Sequence, residues 1–313
     1  MKRFGKLVAV LLVVTLLLSV LGGAVAEEKK RVAMIPPAMT SPWYASAIAG
    51  AQKAADELGY ELVTMAPPSE NDYDGQVRIV EDLITGGIDG LMISAINAEA
   101  IVQAIKQAND AEIPVVIYNS LTEIEGCEVY CYVGYEEQAG AASMGDYLAK
   151  ISGGEARIAI LDGLPGDHTT YRKNGFSEAC ANYEGMEIVA IEAADWDREK
   201  AMNVTTNILT ADSTINAFFA ESDEMALGAA QAVRAIGKTG EIWILSIDGN
   251  PNAVTAIKDG LLTASFSSNP EGTGEIAMQQ LDKAINGEPA EALMQLVTGV
   301  IIDASNADQY PAE

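Results

Sequence analysis

Residues 195–228 decide how this chain folds: DWDREKAMNVTTNILT (195–210), ADST (211–214), the apolar run INAFFA (215–220), then ESDEMALG (221–228). Ala201, Val204 and Ile208 recur three and four apart, so they share one face of a helix that Asp197 can cap. Ile215 to Ala220 is short and mostly apolar, as a central parallel strand should be. Ser222 or Asp223 then caps a second helix, on which Met225, Ala229, Val233 and Ile236 form one stripe. In open α/β sheets, ligands bind beyond the carboxyl ends of the strands, at strand-to-helix turns. This stretch is therefore a place to look for a site.

The same alternation runs through the whole chain. Strand patterns fall at Val32–Ile35, Glu61–Met65, Gly90–Ser94, Val115–Tyr118, Val129–Val133, Arg157–Leu161, Ile188–Ile191, Ala217–Ala220, Trp243–Ile247 and Thr263–Ser267. Helix patterns of ten to seventeen residues separate them, such as Trp43–Leu58 with Ala47, Ala51, Ala54, Ala55 and Leu58 inward. Alternation of this kind builds parallel sheets with helices on both faces, an α/β class. The strand count is too large for one Rossmann-like unit, so two sheets are expected. No internal repeat, low-complexity tract or disordered linker interrupts the pattern.

The N-terminus reads as an export signal. Lys2, Arg3 and Lys6 precede an almost unbroken apolar stretch, Leu7–Leu21, and Ala24-Val25-Ala26 offers a small-x-small cleavage site. The stretch is shorter than the ~20 residues that span a bilayer, which favours cleavage over anchoring. No Cys follows it to carry a lipid. The mature chain then begins near Glu27 and holds no second long apolar stretch, so it is expected to be soluble. About 287 residues remain, enough for two domains of average size. The full chain carries a net charge of −26, and loss of the three basic signal residues makes it more acidic still. Such a surface repels phosphate backbones and lacks the positive footprint that nucleic-acid binding needs. No local basic pocket is legible, which argues against an anionic ligand.

Three cysteines, Cys127, Cys131 and Cys180, leave at least one thiol over. Four residues along a strand span ~13 Å, so a Cys127–Cys131 bridge requires a turn between them. CxxxC without further Cys or His nearby is a weak metal signal. Cys180 shares a helix stripe with Phe176 and reads as core.

Nearly the whole mature chain resembles the type I periplasmic sugar-binding proteins, ribose binders most closely. The likeness rests on residues 195–228 together with AGAQKAADELGYEL (49–62), IPVVIYNS (113–120), GDYLAK (145–150) and SIDGNPNAVTAIKDG (246–260). It implies two Rossmann-like lobes joined by a three-segment hinge, with crossovers near Tyr135, near Ser268 and near Thr298-Gly299. Residues 31–135 plus 269–298 would form the N-terminal lobe, with the last helix returning to it. Residues 136–268 plus 299–313 would form the C-terminal lobe, and residues 1–26 the signal peptide. A hinge of several connections restricts motion to opening and closing around a ligand.

Ser41-Pro42-Trp43-Tyr44 follows the first strand, and two adjacent aromatics at a helix start are not expected to point inward together. One packs in the core, or both form a stacking surface for the apolar C–H face of a sugar ring. The resemblance puts ligand-contacting aromatics at Trp43 and Tyr44, where ribose binders have two Phe. It puts another at Trp196, where galactose-type binders have Trp; otherwise Trp196 is a surface plug. Asp248 ends a strand and either caps the next helix or accepts sugar hydroxyls, the role the family gives it. Asn119 can donate and accept, as a hydroxyl does, and stands with Ser120 where ribose binders carry Asp-Arg.

Further departures shape the expected pocket. Ser41, Ser94, Ser222 and Ser268 stand where the ribose pocket has Asn, Asn, Asn and Gln. The binding arginine of the second lobe has no counterpart, because Thr170 or Tyr171 falls there and Arg172 aligns with a later Arg. These swaps remove length and charge, leaving a roomier cavity or one completed by water. Asp167-His168 resembles the loop from which galactose-type binders reach their sugar, or is an ordinary surface loop. Tyr135, at the first crossover, completes the set of expected ligand contacts.

Nothing in the chain supplies catalytic machinery. One His, no HExxH, no GxSxG and no paired Cys–His leave little for metal or nucleophilic catalysis, and no cofactor or metal is expected. Gly237-Lys238-Thr239 lacks the first glycine of a phosphate loop, Ala232 standing there, and reads as the end of the helix begun at Asp223. No acidic pair shows glycosidase spacing. The implied function is a monomeric, exported, periplasmic receptor. It would capture a neutral monosaccharide or polyol and pass it to the membrane permease of an ABC transporter. The alternative is a receptor of the same fold serving a signalling or chemotaxis sensor. A DNA-binding regulator on this fold needs a helix-turn-helix where this chain has its export signal.

Overall fold

The computed structural model describes residues 29–312. The expected signal segment lies outside them. Twelve strands among these residues form two six-stranded sheets. The first holds β1 (Arg31–Ile35), β2 (Glu61–Thr64), β3 (Gly90–Ile93), β4 (Val115–Tyr118), β5 (Cys131–Gly134) and β11 (Met294–Leu296), in the order β11-β5-β4-β3-β1-β2. The second holds β6 (Glu155–Asp162), β7 (Gly185–Ala193), β8 (Ala217–Ala220), β9 (Trp243–Asp248), β10 (Ala264–Ser267) and β12 (Val300–Asp303), in the order β12-β10-β9-β8-β6-β7. Every pairing is parallel except β10 with β12, where Ser265 faces Ile302 in antiparallel register.

Helices cover both faces of each sheet. α1 (Pro42–Leu58), α2 (Tyr73–Thr85), α3 (Ala98–Asp110) and α9 (Pro270–Ile285) serve the first sheet. α4 (Glu137–Ser152), α5 (Asp167–Cys180), α6 (Arg198–Ala211), α7 (Asp223–Ala235) and α8 (Pro251–Lys258) serve the second. Each sheet therefore buries an apolar layer on either side, which is why its central strands read as continuous apolar runs. In one such layer the rings of Phe176 and Phe219 stack with centroids 4.0 Å apart.

The chain passes between the sheets three times: after β5, between β10 and α9, and between β11 and β12. The return of α9 to the first sheet depends on contact with α1 closer than side chains allow. A Cβ on Gly50 would lie 1.9 Å from the Glu271 carbonyl oxygen, and one on Gly274 would lie 1.8 Å from that of Ala47.

Some expectations need correction. β11 and β12 carried no strand signal, because both are short, half-buried edge strands with little apolar contrast. β5 begins at Cys131 rather than Val129, and edge strand β7 runs well beyond residues 188–191 at both ends. Ile236 is exposed, since it caps α7 from outside instead of continuing the buried stripe. All three cysteines are free, Cys131 and Cys180 being buried.

Candidate ligand-binding cleft

The strand ends of the two sheets open on a common cleft of about 530 Å³. From the first sheet, Ser41 caps α1 with its hydroxyl accepting from the Trp43 amide at 3.2 Å, and Pro42 fills the first helical position. Trp43 and Tyr44 both turn inward, 3% and 7% exposed, contrary to the expectation that only one could. They sit on the first turn, where the strand ends wrap the helix tip, and meet edge to face at 5.2 Å. Trp43 Nε1 donates to Ser268 Oγ at 2.8 Å. Burial holds the Tyr44 phenol well above the usual phenol range, while the nearby Ser94 and Asn119 side chains pull in the opposite direction.

From the second sheet come Trp196, Ser222, Asp248, His168 and Arg172. Trp196 lies against Gly163 so closely that a Cβ there would fall 2.0 Å from the ring, and the Arg172 guanidinium stands 5.6 Å over it. Asp197 caps α6 by accepting from the Lys200 amide at 2.6 Å. Asp195 pairs with the Lys200 ammonium. Arg198 grips Glu224 with two bonds of 2.8 and 2.9 Å.

Asp248 does not cap the helix that follows it. Its Oδ2 accepts from the Asp223 amide, at the start of α7, at 3.2 Å, while Oδ1 lies 3.5 Å from Arg172 Nη1. Ser222 caps α7, and Asp223 turns inward to accept from the Ser246 and Ser265 hydroxyls and the Asn250 amide. Burial pushes the Asp223 carboxyl up to about 6 and that of Glu221 up to about 8. Buried Arg172 donates to the Glu221 carbonyl at 2.6 Å, and His168 Nδ1 donates to Glu137 at 2.5 Å. Burial alone would raise Glu137, but His168 and Arg172 outweigh it and hold its carboxyl low.

Six non-glycine residues among those described adopt left-handed backbone, and four of them line the cleft: Asn119, Asp195, Trp196 and Asp248. Strain of this sort persists only where surrounding contacts fix it, and it gathers at ligand sites. Two cleft-lining residues also carry a buried polar atom without a partner in the protein, Asn119 Oδ1 and Arg172 Nε. Buried polar groups in folded proteins are nearly always paired, which makes these two candidates to bond a ligand or a water.

Not all expected contacts meet in the cleft. Ser94 lies buried behind Tyr44, its carbonyl accepting from Gln76 Nε2 at 2.9 Å. Ser268 is buried against the Trp43 indole. Tyr135 and Asp167 line a second crevice of about 340 Å³, which His168 shares. Thr170 is exposed on α5 and spends its hydroxyl on the Gly166 carbonyl at 2.8 Å, so it stands outside both. The expected loss of charge is also corrected, because Arg172 brings a guanidinium to the cleft one turn before Phe176. A charged residue on the apolar face shared by Gly175, Phe176 and Cys180 was the signal available for it. Glu70, in the irregular loop between β2 and α2, lines the cleft too and had no periodicity to mark it.

The sequence matches the model of the periplasmic binding protein domain over residues 32–289. It is 34% identical over 293 residues to the ribose import binding protein of Salmonella typhimurium, covering 93% of this chain and 95% of that protein. With the D-allose-binding periplasmic protein of Escherichia coli it shares 29% identity, covering 85% of this chain and 86% of that one. The fold superposes, with a TM-score of 0.86 and 30% identity, on an ABC transporter periplasmic solute-binding protein of Actinobacillus succinogenes carrying bound D-allose. That match covers 90% of this chain and all of the other. Two six-stranded sheets facing one cleft define a two-lobed binding protein. The chain belongs to the type I periplasmic sugar-binding protein family.

Proposed function

We propose that this chain is the exported solute-binding component of an ABC sugar importer. It captures a monosaccharide or polyol between its lobes and presents it to the membrane permease as a monomer in the periplasm. The observation that carries the reading is the cleft itself: aromatic rings line it from both lobes, and so do Asn119 and Arg172, each with a buried polar atom that has no partner in the protein. A sugar offers apolar C–H faces to such rings and hydroxyls to such atoms. The relatives named for ribose and D-allose, and the neighbour holding D-allose, support the same class of guest.

In this reading Trp43 and Tyr44 cover one face of the ring and Trp196 the other. Asn119, Arg172 and Asp248 read the hydroxyls, with Ser41, Ser222 and His168 at the rim. Ser94, Ser268 and Tyr135 hold these groups in place, while Asp167 borders the neighbouring crevice. The lobes comprise residues 31–135 with 269–298, and residues 136–268 with 299–313. A guest that touches both lobes binds the closed arrangement better than the open one and shifts the population towards it. No residue is assigned a catalytic role. Isothermal titration of the mature chain against a panel of pentoses, hexoses and alditols tests the proposal. Saturable binding of at least one is expected, and no binding to any polyhydroxyl compound overturns it.

A further inference from the structure

The charged groups that line the cleft have partners in the protein, with one exception. Arg172 faces Asp248 and Glu137, and His168 is held by Glu137. Arg198 is bound by Glu224, Asp195 by Lys200, and Asp197 spends its carboxylate on the Lys200 amide. Glu70 alone among these carboxylates makes no hydrogen bond or ion pair with any described residue. It is half-buried on the 65–72 loop of the first lobe, and burial raises its pKa. Across the cleft, His168 and Arg172 act on it from a distance, and both are already engaged by carboxylates of their own lobe.

A carboxylate withdrawn from water without a counter-charge is costly, and a hydroxyl relieves that cost less than a cation does. We propose that Glu70 is a specificity-determining residue, and that the preferred guest is a polyol or sugar bearing one protonated amino group. The inference rests on the polyhydroxyl ligand proposed above and narrows it. The sugar body fills the space between the aromatic rings, while its ammonium faces Glu70 and completes the charge balance of the cleft.

The test is calorimetric titration of the full mature chain with hexoses, the corresponding hexosamines and their N-acetyl derivatives. It is run at about pH 6.5, below the ordinary range of an amine. At least one hexosamine is expected to bind about tenfold or more tightly than both its parent and its N-acetyl form. Glu70→Gln is expected to remove the hexosamine's advantage over its parent and its N-acetyl form, and circular dichroism of the variant shows that it is folded. If no hexosamine exceeds its parent, or if Glu70→Gln weakens both equally, Glu70 is not an ammonium partner and the proposal fails. If parents bind and hexosamines do not, the polyhydroxyl reading stands and this one falls. If nothing in the panel binds, this proposal falls, and the polyhydroxyl reading is decided by the pentoses and alditols of the wider panel above.

Discussion

The Trp43 indole nitrogen lies 2.8 Å from Ser268 Oγ, tying the first turn of α1 to the second crossover between the sheets. A ring expected to touch the guest is thus anchored at a point where the lobes join. Ser268→Ala leaves a buried N–H without an acceptor and should cost about 1–3 kcal/mol, measured by urea denaturation. Ser268→Thr, which keeps the hydroxyl, should retain more ligand affinity than Ser268→Ala.

Asp248 carries the sharpest expectation for binding. Its carboxylate is buried, sits on strained backbone and faces Arg172 at 3.5 Å. Asp248→Asn should weaken ligand binding on the order of 100-fold, because it removes a charge-assisted acceptor and unbalances a buried arginine. Calorimetric titration reads the loss, and circular dichroism should show the fold retained.

Gly163 is the seat of Trp196. Gly163→Ala places a methyl 2.0 Å from a ring carbon, and the indole must move. Affinity should fall about tenfold or more for strain of about 1–3 kcal/mol. The intrinsic fluorescence of Trp196 should shift in the same variant.

The joint between α1 and α9 is equally intolerant. Gly274→Ala sets a methyl 1.8 Å from a backbone oxygen that cannot swing aside. A stability loss of about 1–3 kcal/mol or more is expected by thermal or urea unfolding.

Stability should fall as pH rises. Burial lifts Glu221 from 4.5 to about 8 and Asp223 from 3.8 to about 6. Both carboxyls therefore hold their protons more tightly in the folded chain than in the unfolded one, and stability declines as pH climbs through that interval. The melting temperature of the ligand-free chain should be lower near pH 8 than near pH 5, and Glu221→Gln should flatten the upper part of the profile.

Much of this architecture was legible in the residues. INAFFA marked a central strand because apolar helices cover both faces of it, and Asp197 and Ser222 announced the helix starts they cap. β11 and β12 escaped notice because edge strands of three and four residues are too short to display a pattern, β12 burying fully only Ile302. The site was legible where a residue closes a strand, as with Asn119 and Asp248. It was obscured where tertiary packing decides direction. Trp43 and Tyr44 turn inward together because the helix tip, not one side of the helix, is enclosed. Thr170 and Arg172 lie two positions apart on α5, about 200° around the helix, so only one of them can face the cleft. Glu70 belongs to a loop, where no spacing rule applies.

The decisive measurement is a crystal structure of the mature chain with its tightest-binding sugar or polyol. A single guest is expected between Trp196 and the Trp43–Tyr44 pair, with hydroxyls on Asp248, Asn119 and Arg172. A guest bound elsewhere, or one in this cleft that leaves Trp43 and Trp196 untouched, would contradict this expectation.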